Sequence, residues 1–124
     1  MFVLEEMKCM DGKKRFAKLL EPGMIGKVKT RNRIYKTGAS MLTWHEDETH
    51  MNSKTLGYYE ALARGGVGLI SVESPIVDYP MGARFRERYR IDEDRYIQGM
   101  SELVDVIHKH GCPTFMQMEH EGPW

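Results

Sequence analysis

The chain has 124 residues, and its 18 Lys+Arg are balanced by 18 Asp+Glu, for a formal net charge of zero. Zero net charge argues against a generally cationic nucleic-acid or membrane-surface protein, and no run of about 18 apolar residues offers a transmembrane helix. With 41% apolar and 29% charged residues, the composition is that of a globular chain rather than a disordered one. The opening residues meet Glu5 and Glu6 at once and lack the basic-then-apolar order of a signal peptide. Cys9 and Cys112 are far apart and fit neither CxxC nor a disulfide framework, so a reducing cytoplasm is the expected location. Most of the ten methionines are expected as adaptable core packing.

Residues 1–15 are polar and Lys-rich and read as an N-terminal arm, leaving 16–124 as one folded unit. Pro22-Gly23 and Gly26 punctuate the next stretch as turns. Arg33–Thr37 reads as a short strand ending at Gly38. Residues 41–52 carry Trp44, His45 and His50 among acidic residues, which is loop chemistry. Ser53 is placed to cap a helix from Lys54 to Arg64, whose stripe is Leu56, Tyr59, Leu62 and Ala63. Gly65-Gly66 stops it. Val67–Val72 is a near-continuous apolar run, as expected of a parallel strand buried on both faces. After a Pro-, Gly- and Arg-rich connection over 74–92, Asp92 is placed to cap a helix from about Asp94 to His110. Its stripe is Ile97, Met100, Leu103, Val104 and Ile107. Gly111 ends it, and Thr114–Met118 reads as a third strand.

The order strand, helix, strand, helix, strand has crossovers longer than the roughly 30 residues of a βαβ unit, so the strands are expected to be parallel. Two α/β architectures fit: an open doubly wound sheet, or the opening of a (β/α)8 barrel. A whole barrel takes about 250 residues. A final strand with no covering helix suits about half of one.

In either architecture ligands bind beyond the carboxyl ends of the strands. Thr37, Gly38, Ala39 and Ser40 stand there after the first strand, a small-residue stretch that lets a planar ligand approach the backbone. A tight turn is the competing reading. Glu73 and Ser74 follow the second strand, and Gln117, Glu119 and His120 end the third. The Gln117 amide both donates and accepts, which matches a ring edge alternating carbonyl and N–H groups, and a central strand would require it to find a partner. His120 is a weaker candidate for a catalytic donor, with a structural hydrogen-bonded histidine as the alternative.

The segments Pro22–Gly26, Arg31–Ile34 and Tyr58–Ile70, followed in order by the helix Ser101–Gly111 and the stretch Phe115–Gly122, resemble the N-terminal part of the Old Yellow Enzyme family. This is the FMN-dependent NADH:flavin oxidoreductase / NADH oxidase group, with 2,4-dienoyl-CoA reductase and bile-acid-modifying branches. The resemblance runs from about residue 16 to the end. It implies the N-terminal portion of a (β/α)8 TIM barrel with FMN at its C-terminal face, and NAD(P)H as reductant. It implies that Thr37, Gly38, Ala39 and Ser40 line the isoalloxazine and that Gln117 bonds the flavin pyrimidine. The chain departs from the family at Pro123, where Arg is common. The family's flavin-phosphate site and proton-donor tyrosine come from later strands, and the iron–sulfur cluster and FAD of larger relatives from later domains.

The resulting expectation is the N-terminal part of an oxidoreductase that passes hydride from NAD(P)H through FMN to an activated C=C of an enoyl or enone substrate, or to another acceptor. A non-enzymatic α/β binding or assembly module is the alternative, and open sheet edges would let the chain form homo-oligomers. Gly65–Gly68 is no dinucleotide loop, because it precedes a strand rather than following one. His45–His50 lacks the HExxH pattern, so no metal is expected. Arg84, Arg86, Arg88 and Arg90 alternate with other residues and would form an anion site on an extended segment. A solvated loop paired with Glu87, Asp92 and Glu93 is the favoured reading.

Overall fold

The computed structural model of the chain describes residues 15–39, 50–84 and 89–122. The expected arm falls almost wholly outside them, as do Cys9 and residues 40–49. A single turn of helix, α1 (Ala17–Leu20), leads into strands β1 (Gly23–Ile25) and β2 (Val28–Thr30). These pair antiparallel with Met24 opposite Lys29. The sequence showed only turns here, because strands of three residues carry too little periodicity to register. The turn itself is legible: Gly26 sits at φ 57°, a conformation open to glycine at no steric cost and typical of a two-residue hairpin connection.

The main sheet contains β3 (Tyr35–Lys36), β4 (Leu69–Val72) and β5 (Thr114–Met116), all parallel in the order β3-β4-β5. Each strand is shorter than expected, and β5 is an outer strand rather than a central one. Every residue of β4 is buried, as a strand flanked on both edges requires. Helices α2 (Ser53–Arg64) and α3 (Ile97–His108) cover one face. Tyr59 and Ala63 of α2 and Leu103 and Ile107 of α3 close on Ile70 and Val72, each large apolar side chain contributing about 1.5–3 kcal/mol by leaving water. Tyr35, Leu69, Ser71 and Phe115 share the opposite face by register, where Tyr35 and Phe115 are exposed.

The helix starts differ from expectation. Asn52, not Ser53, caps α2, its Oδ1 accepting the Thr55 N–H at 2.9 Å. Asp92 caps nothing, since its carboxylate is engaged by Arg90. A 3-10 turn over Asp94–Tyr96 precedes α3 instead, with no side-chain cap. The helix stops hold: Gly66 and Gly111 have φ of 99° and 65°. Among the described methionines the expected core packing holds only in part, with Met100 packed against the core. Met51 is buried, but Met24, Met81 and Met118 are exposed. Among the described residues no helix is long and apolar enough to cross a membrane. Cys112 is buried, and burial pushes its thiol pKa up.

At the amino-terminal end of the sheet one side chain gathers the helix ends. The Arg31 guanidinium donates to Ala63 O at 2.5 Å, to Val67 O at 2.8 and 3.1 Å and to His110 O at 3.1 Å. These are carbonyls at and beyond the C-termini of α2 and α3, where a cation also meets the negative end of the helix dipole. Asn32 adds a bond from Nδ2 to Gly66 O at 2.7 Å. A Cβ on Gly68 would collide with Asn32. Arg31→Ala should lower the unfolding free energy by about 2 kcal/mol in urea denaturation. Arg31→Lys should recover less than half of that, because a point charge cannot reproduce the fork.

Two carboxylates tie the helices to their surroundings. Glu60 accepts from Lys109 at 3.1 Å and His110 at 3.2 Å. Glu102 meets His50 at 2.7 Å and the Met51 N–H at 3.1 Å. The Lys109 and His110 bonds hold the Glu60 carboxyl below its ordinary pKa, and the His50 bond does the same for Glu102. A depressed folded-state pKa stabilises the fold above the unfolded value of about 4.3, and this is lost as pH falls through the folded value. In unfolding followed by circular dichroism, Glu60→Gln should therefore lower stability slightly at neutral pH and converge with the original chain below about pH 4, losing part of the pH dependence.

Candidate functional site

The opposite, carboxyl-terminal end of the sheet carries the candidate residues. Thr37, Gly38 and Ala39 leave the end of β3, with Gly38 half-buried between exposed neighbours. Ser40 lies outside the described residues. Gln117 follows β5 directly, its N–H bonded to Val72 O at 3.0 Å, and its side chain is exposed. The structure brings Gly38 and Gln117 together from the two outer strands. A Cβ built on Gly38 would collide with Gln117 Oε1, so the amide lies over the bare glycine backbone. That amide has no hydrogen-bond partner among the described residues.

Glu73 and Ser74 leave the end of β4, both buried. Ser74 adopts φ 40°, an uncommon conformation for a residue with a Cβ. Glu73 forms a buried ion pair that sequence reasoning missed: Lys36 Nζ lies 3.0 Å from its Oε2. The signal was Lys36 itself, a lone charge closing a short strand of a buried sheet. Burial, with a further contribution from the Glu73 charge, raises the pKa of Tyr58 and, much more strongly, that of Tyr89.

His120 belongs to a knot between the loops that leave β4 and β5. Its Nδ1 accepts the Gly122 N–H at 3.1 Å, and its Nε2 faces Asp78 Oδ2 at 3.4 Å. A backbone N–H can bond only an unprotonated ring nitrogen, so in the neutral ring the proton sits on Nε2, facing the carboxylate. Gly82 packs against the ring, where a Cβ would come 2.9 Å from His120 Cδ2 and 2.6 Å from Asp78 O. Backbone bonds Val77 N–H to Glu119 O, Glu119 N–H to Pro75 O and Glu121 N–H to Gly82 O tie the loops along their length.

The arginine run does not form an anion site at Arg90. Its guanidinium is buried and bonded to Asp92 at 2.7 and 3.0 Å and to Glu93 at 2.8 Å. It stacks over Tyr79 and Tyr96 with centroid distances of 4.1 and 5.0 Å. Of the expected partners, Asp92 and Glu93 are in place. Residues 85–88, including Arg86 and Arg88, lie outside the described residues. No group of three or more His, Cys, Asp or Glu among the described residues could hold a metal. His50 is bonded to Glu102, and residues 45–49 are not described.

The profile of the NADH:flavin oxidoreductase / NADH oxidase family matches residues 18–123. The NADH oxidase of Thermoanaerobacter brockii is 39% identical over 107 residues, covering 86% of this chain and 16% of that protein. An NADPH dehydrogenase of Halalkalibacterium halodurans is 31% identical over 105 residues, covering 85% of this chain and 31% of its own length. The structure of the old yellow enzyme from Trypanosoma cruzi superposes with a TM-score of 0.74 at 32% identity, covering 86% of this chain and 28% of that one. This chain thus spans less than a third of each of these relatives. Because the match runs from α1 to the loop beyond β5, little of the fold described above stands outside it. The chain belongs to the NADH:flavin oxidoreductase / NADH oxidase family and forms the N-terminal portion of its (β/α)8 barrel.

Proposed function

We propose that this chain supplies the first three strand ends of the FMN site of an NAD(P)H-dependent oxidoreductase acting on a small molecule with an activated C=C, of the enoyl or enone type. The observation that carries this reading is the Gln117 amide, without a hydrogen-bond partner among the described residues and lying over Gly38. One side chain thereby offers a donor and an acceptor beside backbone that no side chain shields. These residues fit a flavin: a planar ring needs a flat approach to backbone, and its pyrimidine edge alternates donors and acceptors. In this reading Thr37, Gly38, Ala39 and Ser40 run along the ring and Gln117 bonds its pyrimidine edge. When bound, FMN would supply the hydride chemistry between NAD(P)H and the acceptor.

The protein's part is placement. The β3 and β5 ends fix the ring against the sheet, and the loops joined through His120 form the neighbouring wall. His120, its Nδ1 bonded by the Gly122 N–H and its Nε2 facing Asp78, holds that wall together, the structural role favoured over a catalytic donor. An assembly module without chemistry is the second reading. The exposed Tyr35 and Phe115 face favours it, and cofactor binding separates the two.

The 124-residue chain alone should quench FMN fluorescence only weakly, with a Kd on the order of 1 mM or more, because a barrel site draws on several strand ends. Tight stoichiometric binding would contradict the reading. A chimera carrying residues 18–122 in place of the matching stretch of the Thermoanaerobacter brockii NADH oxidase should retain FMN. Gln117→Leu should then weaken FMN by roughly tenfold, the value of one hydrogen bond of about 1.4 kcal/mol; unchanged affinity would remove Gln117 from the flavin. Gly38→Ala should leave stability within about 0.5 kcal/mol, since the Cβ meets only a flexible side-chain end. In a ¹⁵N spectrum it should displace the Gln117 side-chain amide resonances.

A further inference from the structure

The Lys36–Glu73 pair is an unusual expenditure of charge. Its side chains are only 12% and 3% exposed. The ammonium lies on the helix-covered side of the sheet, 5.1 Å from the ring centroid of Tyr59 and 5.8 Å from that of Tyr58. Its remaining hydrogen bond, to Ser71 O, is long at 3.4 Å. Glu73 Oε1 is buried with no hydrogen-bond partner, while the Glu73 N–H donates to Tyr59 Oη at 3.4 Å. Burying two charges costs several kcal/mol each before their attraction is counted, and well-packed apolar residues of similar volume are often equally or more stabilising. Stability therefore does not account for the pair.

Its position does. Lys36 is the last residue of β3, directly before Thr37 and Gly38. Glu73 is the first residue after β4, directly before Ser74 at φ 40°. Opposite Lys36 in the sheet stands Ile70, so the lysine stem runs up the sheet to reach Glu73 three residues further along. The pair thus fixes how far β3 extends past β4, and so where Gly38 meets Gln117. We propose that Lys36 and Glu73 are positioning residues that set the Gly38–Gln117 juxtaposition, acting through Thr37 and Gly38 without touching the ligand. The consequence for cofactor binding rests on the FMN reading above; the juxtaposition itself does not.

Lys36→Met alone strands a buried carboxylate and is expected to unfold readily. The test therefore uses the full chain with the double substitution Lys36→Met/Glu73→Gln, and Lys36→Arg as the conservative variant. The readout is the nuclear Overhauser cross-peak between Gly38 Hα and the Gln117 side-chain amide, with thermal unfolding in parallel. The double variant should fold with a wild-type-like transition yet lose the cross-peak, and Lys36→Arg should keep it. A cross-peak that persists in the folded double variant overturns the proposal, because the pair is then structural only. Loss of folding in the double variant overturns it equally, since the pair would then be needed for stability. The effect of Gln117→Leu on FMN affinity in the chimera judges the FMN reading separately.

Discussion

Strand β4 cannot exist alone. All four of its residues are buried, and a backbone taken out of water must find a partner for each N–H and C=O. Its ladder bonds therefore require β3 on one edge and β5 on the other. Its apolar side chains require α2 and α3 on one face. The chain meets these demands by bringing β3 and β5 to β4 from distant stretches of sequence, Tyr35 opposite Leu69 and Thr114 opposite Ile70. The parallel sense of both pairings is what sends Thr37, Glu73 and Gln117 out at the same end. The candidate site is thus a by-product of satisfying one buried strand.

Charge is used differently at the two ends of that sheet. At the amino-terminal end, Arg31 spends its guanidinium on neutral helix-end carbonyls, an exchange that needs no opposing carboxylate and tolerates water. At the carboxyl-terminal end, Lys36 and Arg90 face Glu73 and Asp92 under cover of the aromatic rings of Tyr59 and Tyr79. Low dielectric strengthens such pairs and penalises any misfit in them. Charge pairs thus cross the carboxyl-terminal end, while at the amino-terminal end the β1–β2 hairpin leaves a cleft of about 400 Å³ against Tyr35 and Leu69.

What could be read from the sequence follows the length of each signal. Twelve-residue helices display several turns of their apolar stripe, so α2 and α3 were legible down to Tyr59, Ala63, Leu103 and Ile107. The apolar run around Leu69–Val72 announced a buried strand. The hairpin was not legible, because Val28-Lys29-Thr30 contains no full alternation. Caps were misassigned where two candidates stood side by side, as at Asn52 and Ser53, since only backbone geometry decides which side chain reaches the orphan N–H. At the site, Gly38 and Gln117 were each picked out by chemistry, but their contact joins residues 79 apart. Lys36 was passed over because a charge at a strand end reads as solvated until its partner is placed. Asp92 reads both as a helix cap and as a partner of the arginine run; its carboxylate bonds Arg90, and only the second role stands.

The faces left open follow from the same arithmetic. Three strands cannot close a barrel, so Tyr35 and Phe115 remain in water on the face that β4 shares with them. On the other side, Ile97 at 61% exposure, Met100, Val104 and Met116 line a cleft of about 520 Å³ beside α3. The stripe on α3 is therefore wider than its contact with α2: Leu103 and Ile107 point into the present core, while Ile97 and Val104 point away from it. Such a helix has the apolar width of one meant for two neighbours. At the carboxyl-terminal end of the sheet, the bare backbone of Gly38 and the Gln117 amide lie together, and both come from the strands that flank β4. Neither outer strand alone offers both features. The Gly38–Gln117 juxtaposition is therefore a property of the sheet's register, and whatever holds that register holds the two residues together.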